Sequence, residues 1–132
     1  MAFTILIVDD SATMRSVIKR TVKMANMPLG AFLEAPGGRE ALDILQREQV
    51  NLVLADINMP GMNGIEMIEQ MHADDSTRDI PVVVISTEAN SDRIKHLKEK
   101  GVVGYVHKPF TPEIIRDVIY EVIGAYHAGS NK

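Results

Sequence analysis

The sequence predicts an α/β fold, in which an open, doubly wound parallel sheet carries helices on both faces. Short apolar runs without polar alternation recur along the chain, and such runs are typical of strands that are buried on both sides. Each run is followed by a segment whose apolar residues recur at helical spacing. Five such alternations fit within 132 residues. A closed α/β barrel needs about 250 residues, so the open sheet is the expected form.

Five segments are predicted to be strands because they are rich in valine, isoleucine and leucine or end in polar residues after an apolar run. The strong runs are Thr4–Val8, Leu52–Ala55 and Val82–Ile85, and the weaker ones are Ala31–Ala35 and Tyr105–His107. Right-handed crossovers are the rule for such strand–helix alternations, which supports a doubly wound open sheet.

Apolar stripes at helical spacing predict five helices after these strands. The stripes comprise Met14, Val17, Ile18 and Val22; Ala41, Leu42 and Leu45; Ile65, Ile68 and Met71; Ile94 and Leu97; and Ile114, Ile115, Val118, Ile119, Val122 and Ile123. The last helix has the clearest start. Thr111 can cap it, Pro112 suits its first position, and Glu113 complements its dipole.

Composition limits the class of protein. With 45% hydrophobic and 24% charged residues, the chain can bury one proper core, and we expect one domain over residues 1–126. Residues 127–132 are expected to form a short C-terminal tail without an output domain. The net charge of −4 argues against nucleic-acid or membrane partners. The chain has no cysteine and its apolar N-terminal run is too short to span a membrane, so we expect a cytoplasmic protein.

Polar residues end four of the predicted strands. Asp9 and Asp10 follow the first, Asp56 the third, Ser86 and Thr87 the fourth, and His107 and Lys108 the fifth. In an open α/β sheet the carboxyl ends of the strands meet at one edge, where ligands bind. We therefore expect these acids, hydroxyls and the lysine to converge.

A cluster of carboxylates needs something to offset its charge. Two carboxylates about 5 Å apart repel by on the order of 3 kcal/mol at an effective dielectric of about 20. A proton on one acid, the Lys108 ammonium or a divalent cation could offset this, and hard oxygen ligands suit Mg²⁺ best. Taken singly, Asp9, Asp10 or Ser11 could merely cap a helix, Ser86 could be a turn residue and Lys108 could be solvated.

Four motifs give the chain a family resemblance. They are "VDDSATMR", "ADINMPGMNG", "VVVISTEA" and "GYVHKPF". The chain resembles the receiver domains of two-component response regulators, and in particular the single-domain chemotaxis regulators, over nearly its whole length. The resemblance implies a flavodoxin-like fold with strand order 2-1-3-4-5.

The resemblance also implies a phosphorylation site and a metal site. Asp56 would be the phosphoacceptor. Asp9, Asp10 and Asp56 would hold Mg²⁺ together with the main-chain carbonyl of Asn58. A carboxylate can attack a phosphoryl group when cations and hydrogen-bond donors are placed in advance to match the transferring charge.

Further roles follow from the same resemblance. Ser86 would be the hydroxyl that senses the phosphoryl group, Lys108 would contact its oxygens, and Tyr105 would be the aromatic switch. Asn58 and Glu88 would stand beside the attacking water and tune the lifetime of the acyl phosphate. The Lys108–Pro109 bond is expected to be cis.

The implied protein signals rather than turns over a substrate. A histidine kinase would phosphorylate it, and it would then bind a downstream protein such as the flagellar motor switch, with a phosphatase as a further partner. We expect a monomer. The turn at Pro36-Gly37-Gly38 departs from the usual family pattern and has either a purely structural role or a role in partner contact.

Other classes remain as alternatives. A receiver of this kind could instead act as a phosphorelay intermediate or a phosphate sink, or as a scaffold without phosphorylation. A magnesium-dependent phosphatase of the haloacid-dehalogenase type needs a second acid two residues after the nucleophile, where this chain has Asn58. A nucleotide binder is disfavoured because neither glycine-rich phosphate-binding motif occurs.

Overall fold

The computed structural model describes residues 3–24, 29–57, 62, 64–87 and 90–130. Within these residues, five strands alternate with five helices. In order they are β1 (Phe3–Val8), α1 (Ala12–Met24), β2 (Leu29–Ala35), α2 (Gly38–Arg47), β3 (Leu52–Ala55), α3 (Gly64–Ala73), β4 (Val82–Ser86), α4 (Ser91–Glu99), β5 (Gly104–His107) and α5 (Pro112–Ser130). The predicted alternation of strands and helices is therefore confirmed.

The strands form one parallel sheet in the order β2-β1-β3-β4-β5. This confirms the predicted α/β class and the strand order. β1 lies between β2 and β3, with Val8 opposite both Ala35 and Ala55. The carboxyl ends of β1, β2 and β3 therefore lie level at one edge of the sheet.

Side chains of β1 alternate between the two faces of the sheet. Ile5 and Ile7 pack in a cluster with α1 and α5, whereas Leu6 and Val8 pack in a second cluster with α2, α3 and α4. All four side chains are fully buried. Because both faces are covered by helices, the strand has no need for polar alternation, which explains the continuous apolar run in the sequence.

The helices bury most of their predicted stripes. Ile18 and Val22 of α1 and Ile115 and Ile119 of α5 are buried. Among the stripe residues whose side chains the structure describes, two do not lie on the buried faces: Val17 is 38% exposed and Ile114 is 47% exposed. Each precedes a buried isoleucine by one residue, and a one-residue step turns the side chain by about 100° around the helix.

The start of α5 matches the sequence prediction. Pro112 is its first residue, and the Thr111 hydroxyl accepts a hydrogen bond from the Ile114 amide at 3.2 Å. The helix runs to Ser130, so it includes residues 127–130 of the predicted tail. Among the described residues, no helix has both the length and the apolar character needed to cross a bilayer.

Candidate functional site

Three carboxylates meet at the carboxyl edge of the sheet. Asp9 and Asp10 follow β1, and Asp56 follows β3, the neighbouring strand. Each side chain has an oxygen within 4.8 Å of the others. Asp9 is buried, Asp56 is half-buried and Asp10 is exposed, so the cluster has one side open to solvent. The structure thus brings together the three acids that the sequence placed at strand ends.

Asp9 is the best-anchored member of the cluster. Its amide donates to the Ala35 carbonyl at 3.1 Å, and its Oδ1 accepts from the Ser11 amide at 2.9 Å. Its Oδ2 is buried and has no hydrogen-bond partner. A buried charged oxygen without a partner is costly, and such an atom calls for a cation beside it.

The backbone around Asp56 is closely packed. Its amide donates to the Val8 carbonyl at 3.0 Å, which fixes the end of β3 to the end of β1. Gly64 begins α3 against the same segment, where a Cβ atom would lie 2.7 Å from the Asp56 carbonyl oxygen. No side chain fits there without moving backbone. Glycine therefore allows α3 to start directly behind the candidate acceptor.

Lys108 brings a positive charge to the acids. Its Nζ lies 3.3 Å from Oδ2 of Asp56 and 3.6 Å from Oδ2 of Asp9, and its side chain is only 16% exposed. Its amide donates to the Ser86 carbonyl at 2.8 Å. The Lys108–Pro109 bond is cis, as expected. One ammonium thus contacts two of the three carboxylates, and the cluster keeps a net negative charge.

The electrostatics of Asp9 reflect this imbalance. Burial raises the pKa of Asp9 above its ordinary value, and the charges of Asp56 and Asp10 add to the rise. The Ser11 amide and the Lys108 ammonium act in the opposite direction without cancelling it. In the absence of a metal, Asp9 therefore holds a proton more readily than an ordinary aspartate.

The predicted sensor and switch residues lie on neighbouring strands. Ser86 ends β4 and is fully buried, whereas Thr87 is exposed. Tyr105 of β5 is half-buried against the cluster that contains α2, α3 and α4. In the parallel pairing, Tyr105 is opposite Val84, two residues before Ser86. His107 is opposite Ser86 and is exposed.

Some sequence-predicted residues cannot be placed in the site. Asn58 and Glu88, the predicted lifetime-tuning residues, lie outside the described residues. The Pro36-Gly37-Gly38 turn leads into α2, and a Cβ atom on Gly38 would lie 2.9 Å from Cγ of Met62. This turn therefore brings the start of α2 against the segment that follows Asp56.

Sequence reasoning gave no role to Arg15, whose guanidinium contacts the site. Its Nη1 donates to the main-chain carbonyl of Asp9, and its Nε donates to Glu34. The only sequence signal was the position of Arg15 at the end of the motif "VDDSATMR". Composition and periodicity cannot reveal such a contact, because it depends on where an arginine side chain folds.

The donor set fits Mg²⁺. Three carboxylate oxygens are within reach of one another, Oδ2 of the buried Asp9 accepts no hydrogen bond, and one side of the cluster is open. Mg²⁺ prefers hard oxygen ligands, uses few protein groups and keeps several waters. The exposed Asp10 leaves room for those waters.

Comparison with known proteins agrees with this geometry. The family model of the response regulator receiver domain matches residues 5–120. A chemotaxis protein CheY homolog from Campylobacter jejuni is 36% identical over 121 residues, which cover 91% of this chain and 92% of that protein. The structure of the chemotaxis response regulator CheY4 of Vibrio cholerae superposes with a TM-score of 0.83 at 28% identity, covering 92% of this chain and 99% of that one.

A more distant structure shares the fold. It is the receiver domain of a sensor histidine kinase from Pseudomonas aeruginosa, with a TM-score of 0.81 at 19% identity over 94% of this chain and 99% of that one. That protein is described with a magnesium ion coordinated in its active-site cleft. From the family match over most of its length and the CheY relatives, this chain belongs to the response regulator receiver domain family.

Proposed function

We propose that this protein is a single-domain response regulator that accepts a phosphoryl group on Asp56 from a histidine kinase. It then signals by phosphorylation-dependent binding to another protein. Its relatives are named chemotaxis proteins, which supports a role in chemotaxis. CheY-type receivers are signalling proteins rather than enzymes that turn over a substrate.

One observation carries this proposal. The Asp56 carboxylate lies 3.3 Å from the Lys108 ammonium and within 4.8 Å of two further acids. In the proposed reaction, an Asp56 oxygen forms a bond to phosphorus, and the bond from phosphorus to the donor nitrogen or oxygen breaks. The donor leaves with the bonding electron pair. Lys108 then pairs with the phosphoryl oxygens, which match its charge better than a single carboxylate does.

Magnesium is the proposed cofactor. Asp9, Asp10 and Asp56 would hold it, with the main-chain carbonyl of Asn58 as the further ligand that the family resemblance implies. When bound, it supplies positive charge to the phosphoryl oxygens. The buried Oδ2 of Asp9, which lacks a hydrogen-bond partner, supports a cation at this position.

Ser86 and Tyr105 are the proposed switch. Ser86 is buried at the edge where the phosphoryl group would sit, and its hydroxyl can donate to a phosphoryl oxygen. Tyr105 is half-buried on the adjacent strand, so its ring can move inward if Ser86 shifts. A hydrogen bond to a charged group contributes about 1.5–3 kcal/mol, whereas a full population shift from 1:99 to 99:1 needs about 5.5. Lys108 and the bound partner must therefore contribute the rest.

Asn58 and Glu88 are proposed to tune how long the acyl phosphate lasts. Polar side chains at these two positions would stand beside the attacking water, so the phosphorylated state would be transient. The protein would catalyse its own phosphoryl transfer and its own dephosphorylation. This assignment rests on the family resemblance alone.

The proposed partners are a histidine kinase, a downstream protein such as the flagellar motor switch, and a phosphatase. We propose a cytoplasmic monomer that binds neither nucleic acid nor membrane, in keeping with a net charge of −4. A receiver with the same site could instead pass its phosphoryl group to a later relay protein or act as a phosphate sink. A pull-down that compares the phosphorylated and unphosphorylated protein separates these roles.

Intact-mass measurement after acetyl phosphate treatment tests the central step. Wild-type protein should gain one phosphoryl group only when Mg²⁺ is present, and Asp56→Asn should gain none. Asp74→Asn removes the same charge from an acid just after α3 and should be labelled like the wild type. Equal labelling of wild type and Asp56→Asn would sink the assignment. Steady turnover of a phosphomonoester would instead favour a phosphatase.

A further inference from the structure

Arg15 connects the acid cluster to the neighbouring strand. It lies near the start of α1, and its side chain is 15% exposed. Its Nη1 donates to the main-chain oxygen of Asp9 at 2.5 Å, and its Nε donates to Oε1 of Glu34 at 3.0 Å. One planar guanidinium therefore holds two acceptors on two different segments, a geometry that lysine cannot reproduce.

The contact with Arg15 completes the fixation of Asp9. The Asp9 amide is held by the Ala35 carbonyl, and its Oδ1 by the Ser11 amide. With its carbonyl held by Arg15, only Oδ2 lacks a hydrogen bond. These three anchors fix the direction of Oδ2, which lies 3.6 Å from the Lys108 ammonium that also contacts Asp56.

Glu34 holds Arg15 in place. It lies on β2 opposite Ile7 of β1, one residue before the Ala35 carbonyl that binds Asp9. Its second oxygen, Oε2, accepts from Lys19 Nζ at 2.8 Å. Hydrogen bonds from Lys19, which has the larger effect, and from Arg15 lower the pKa of Glu34. This carboxylate therefore stays charged at neutral pH. Both of its oxygens are therefore occupied by cations from α1.

We propose that Arg15 is a positioning residue of the metal site. Arg15 fixes the main chain of Asp9 so that Oδ2 is presented to Mg²⁺. Glu34 sets the direction of the Arg15 guanidinium. This inference rests on the proposed function, because it assumes that the carboxylates hold Mg²⁺. Mutation of a group that hydrogen-bonds to a metal ligand and orients it typically lowers metal affinity by about tenfold or more.

The sign of the effect separates positioning from simple electrostatics. Arg15 carries a positive charge near a cation site, so by Coulomb's law its removal should strengthen Mg²⁺ binding. Loss of positioning should weaken it, because Asp9 would then sample orientations that do not face the metal. A role limited to joining α1 to β2 would change stability and leave the affinity as it was.

Isothermal titration with Mg²⁺ on the full chain tests the proposal. Arg15→Met removes the charge and the donors, whereas Arg15→Lys keeps the charge but removes the fork. We expect both to bind Mg²⁺ several-fold to about tenfold more weakly than wild type. Arg20→Met is the matched control, because Arg20 is an exposed arginine on the same helix. It should bind as wild type does or slightly more tightly.

Amide exchange followed by NMR in metal-free protein gives a second readout. In Arg15→Lys, the amides of Asp9 and Ser11 should exchange faster, whereas those in the middle of α1 should be unchanged. Affinity in folded Arg15→Lys and Arg15→Met equal to or tighter than wild type would overturn the inference. If wild type binds Mg²⁺ and these variants bind equally well, only the role of Arg15 fails. If wild type shows no binding that depends on Asp10, the proposed function fails with it.

Discussion

Asp9 and Asp74 each follow a secondary-structure element, yet their surroundings are opposite. Asp9 follows β1 and is buried, and its Oδ2 accepts no hydrogen bond, with the Lys108 ammonium 3.6 Å away. Asp74 follows α3, and both of its carboxylate oxygens are used. Oδ1 accepts from the amide and hydroxyl of Ser76 at 2.9 and 2.7 Å, and Oδ2 accepts from Gln46 at 2.9 Å.

The pKa values of the two acids shift in opposite directions. Burial raises the pKa of Asp9, whereas the Ser76 hydroxyl and amide lower the pKa of Asp74. The charged form of Asp74 is thus favoured by the fold, and its local hydrogen bonds close the turn after α3. The charged form of Asp9 is disfavoured until a cation arrives.

The comparison shows how an acid for function differs from an acid for structure. Asp74 stabilises the fold through completed hydrogen bonds, so it needs nothing from outside. Asp9 sits beside two other carboxylates and shares the Lys108 ammonium with Asp56, so its charge is only partly compensated in the isolated protein. The sequence separates the two by position, since Asp9 follows a predicted strand and Asp74 a predicted helix, but it does not show which of their oxygens find hydrogen-bond partners.

The largest expected effect concerns metal affinity. Asp10→Asn should weaken Mg²⁺ binding about tenfold or more, equivalent to about 1.4 kcal/mol, because it removes a charged ligand from a site with few protein ligands. Asp74→Asn removes the same charge but should leave the affinity unchanged. Isothermal titration of both variants measures the difference. Equal Mg²⁺ affinities for Asp10→Asn and Asp74→Asn would contradict a metal-binding role for the acid cluster.

Much of the fold could be predicted from sequence, because buried parallel strands are continuous apolar runs. β1, β3 and β4 show this pattern, and their residues are buried on both faces. The exposure of Val17 and Ile114 could not be predicted. Both extend an apolar stripe, and only tertiary packing decides which part of a wide stripe faces the sheet.

The candidate site was predictable at the level of which residues meet. Topology places Asp9, Asp56 and Lys108 at one edge, because the carboxyl ends of parallel strands coincide there. Two features could not be predicted from the sequence: Oδ2 of Asp9 accepts no hydrogen bond, and Arg15 donates to the main-chain carbonyl of Asp9. Both depend on side-chain orientations that are fixed by residues distant in the chain, such as Glu34 and Ala35.

A smaller effect is expected on metal-free stability, with opposite signs for the two acids. Asp9→Asn should raise the free energy of unfolding by about 1 kcal/mol at neutral pH, since it removes a buried charge that lacks full compensation. Asp74→Asn should lower the melting temperature, since an amide cannot accept at both positions as the carboxylate does. Thermal unfolding in EDTA measures both. A lower melting temperature for Asp9→Asn would mean that Lys108 already compensates Asp9.

The smallest and most specific effect is the pH dependence of these stability differences. The folded-state pKa of Asp9 is raised above 3.8, so its stabilising contribution is complete below that value and is lost as pH rises through the folded pKa. The gain from Asp9→Asn should therefore be large at neutral pH and vanish below about pH 4.

Asp74 should behave in the opposite way. Its folded-state pKa is lowered below 3.8, so its contribution is present above that value and is lost as pH falls through the folded pKa. The loss caused by Asp74→Asn should shrink on acidification, along with the gain from Asp9→Asn, although one difference is positive and the other negative. Urea unfolding of the three proteins without metal at pH 7, 5, 3.5 and 2.5 provides the curves, and the lowest pH is needed because the change for Asp74 occurs below 3.8. Differences that stay constant across this range would show that neither carboxylate titrates differently in the folded and unfolded chains, and the contrast between the two sites would then lie in packing rather than charge.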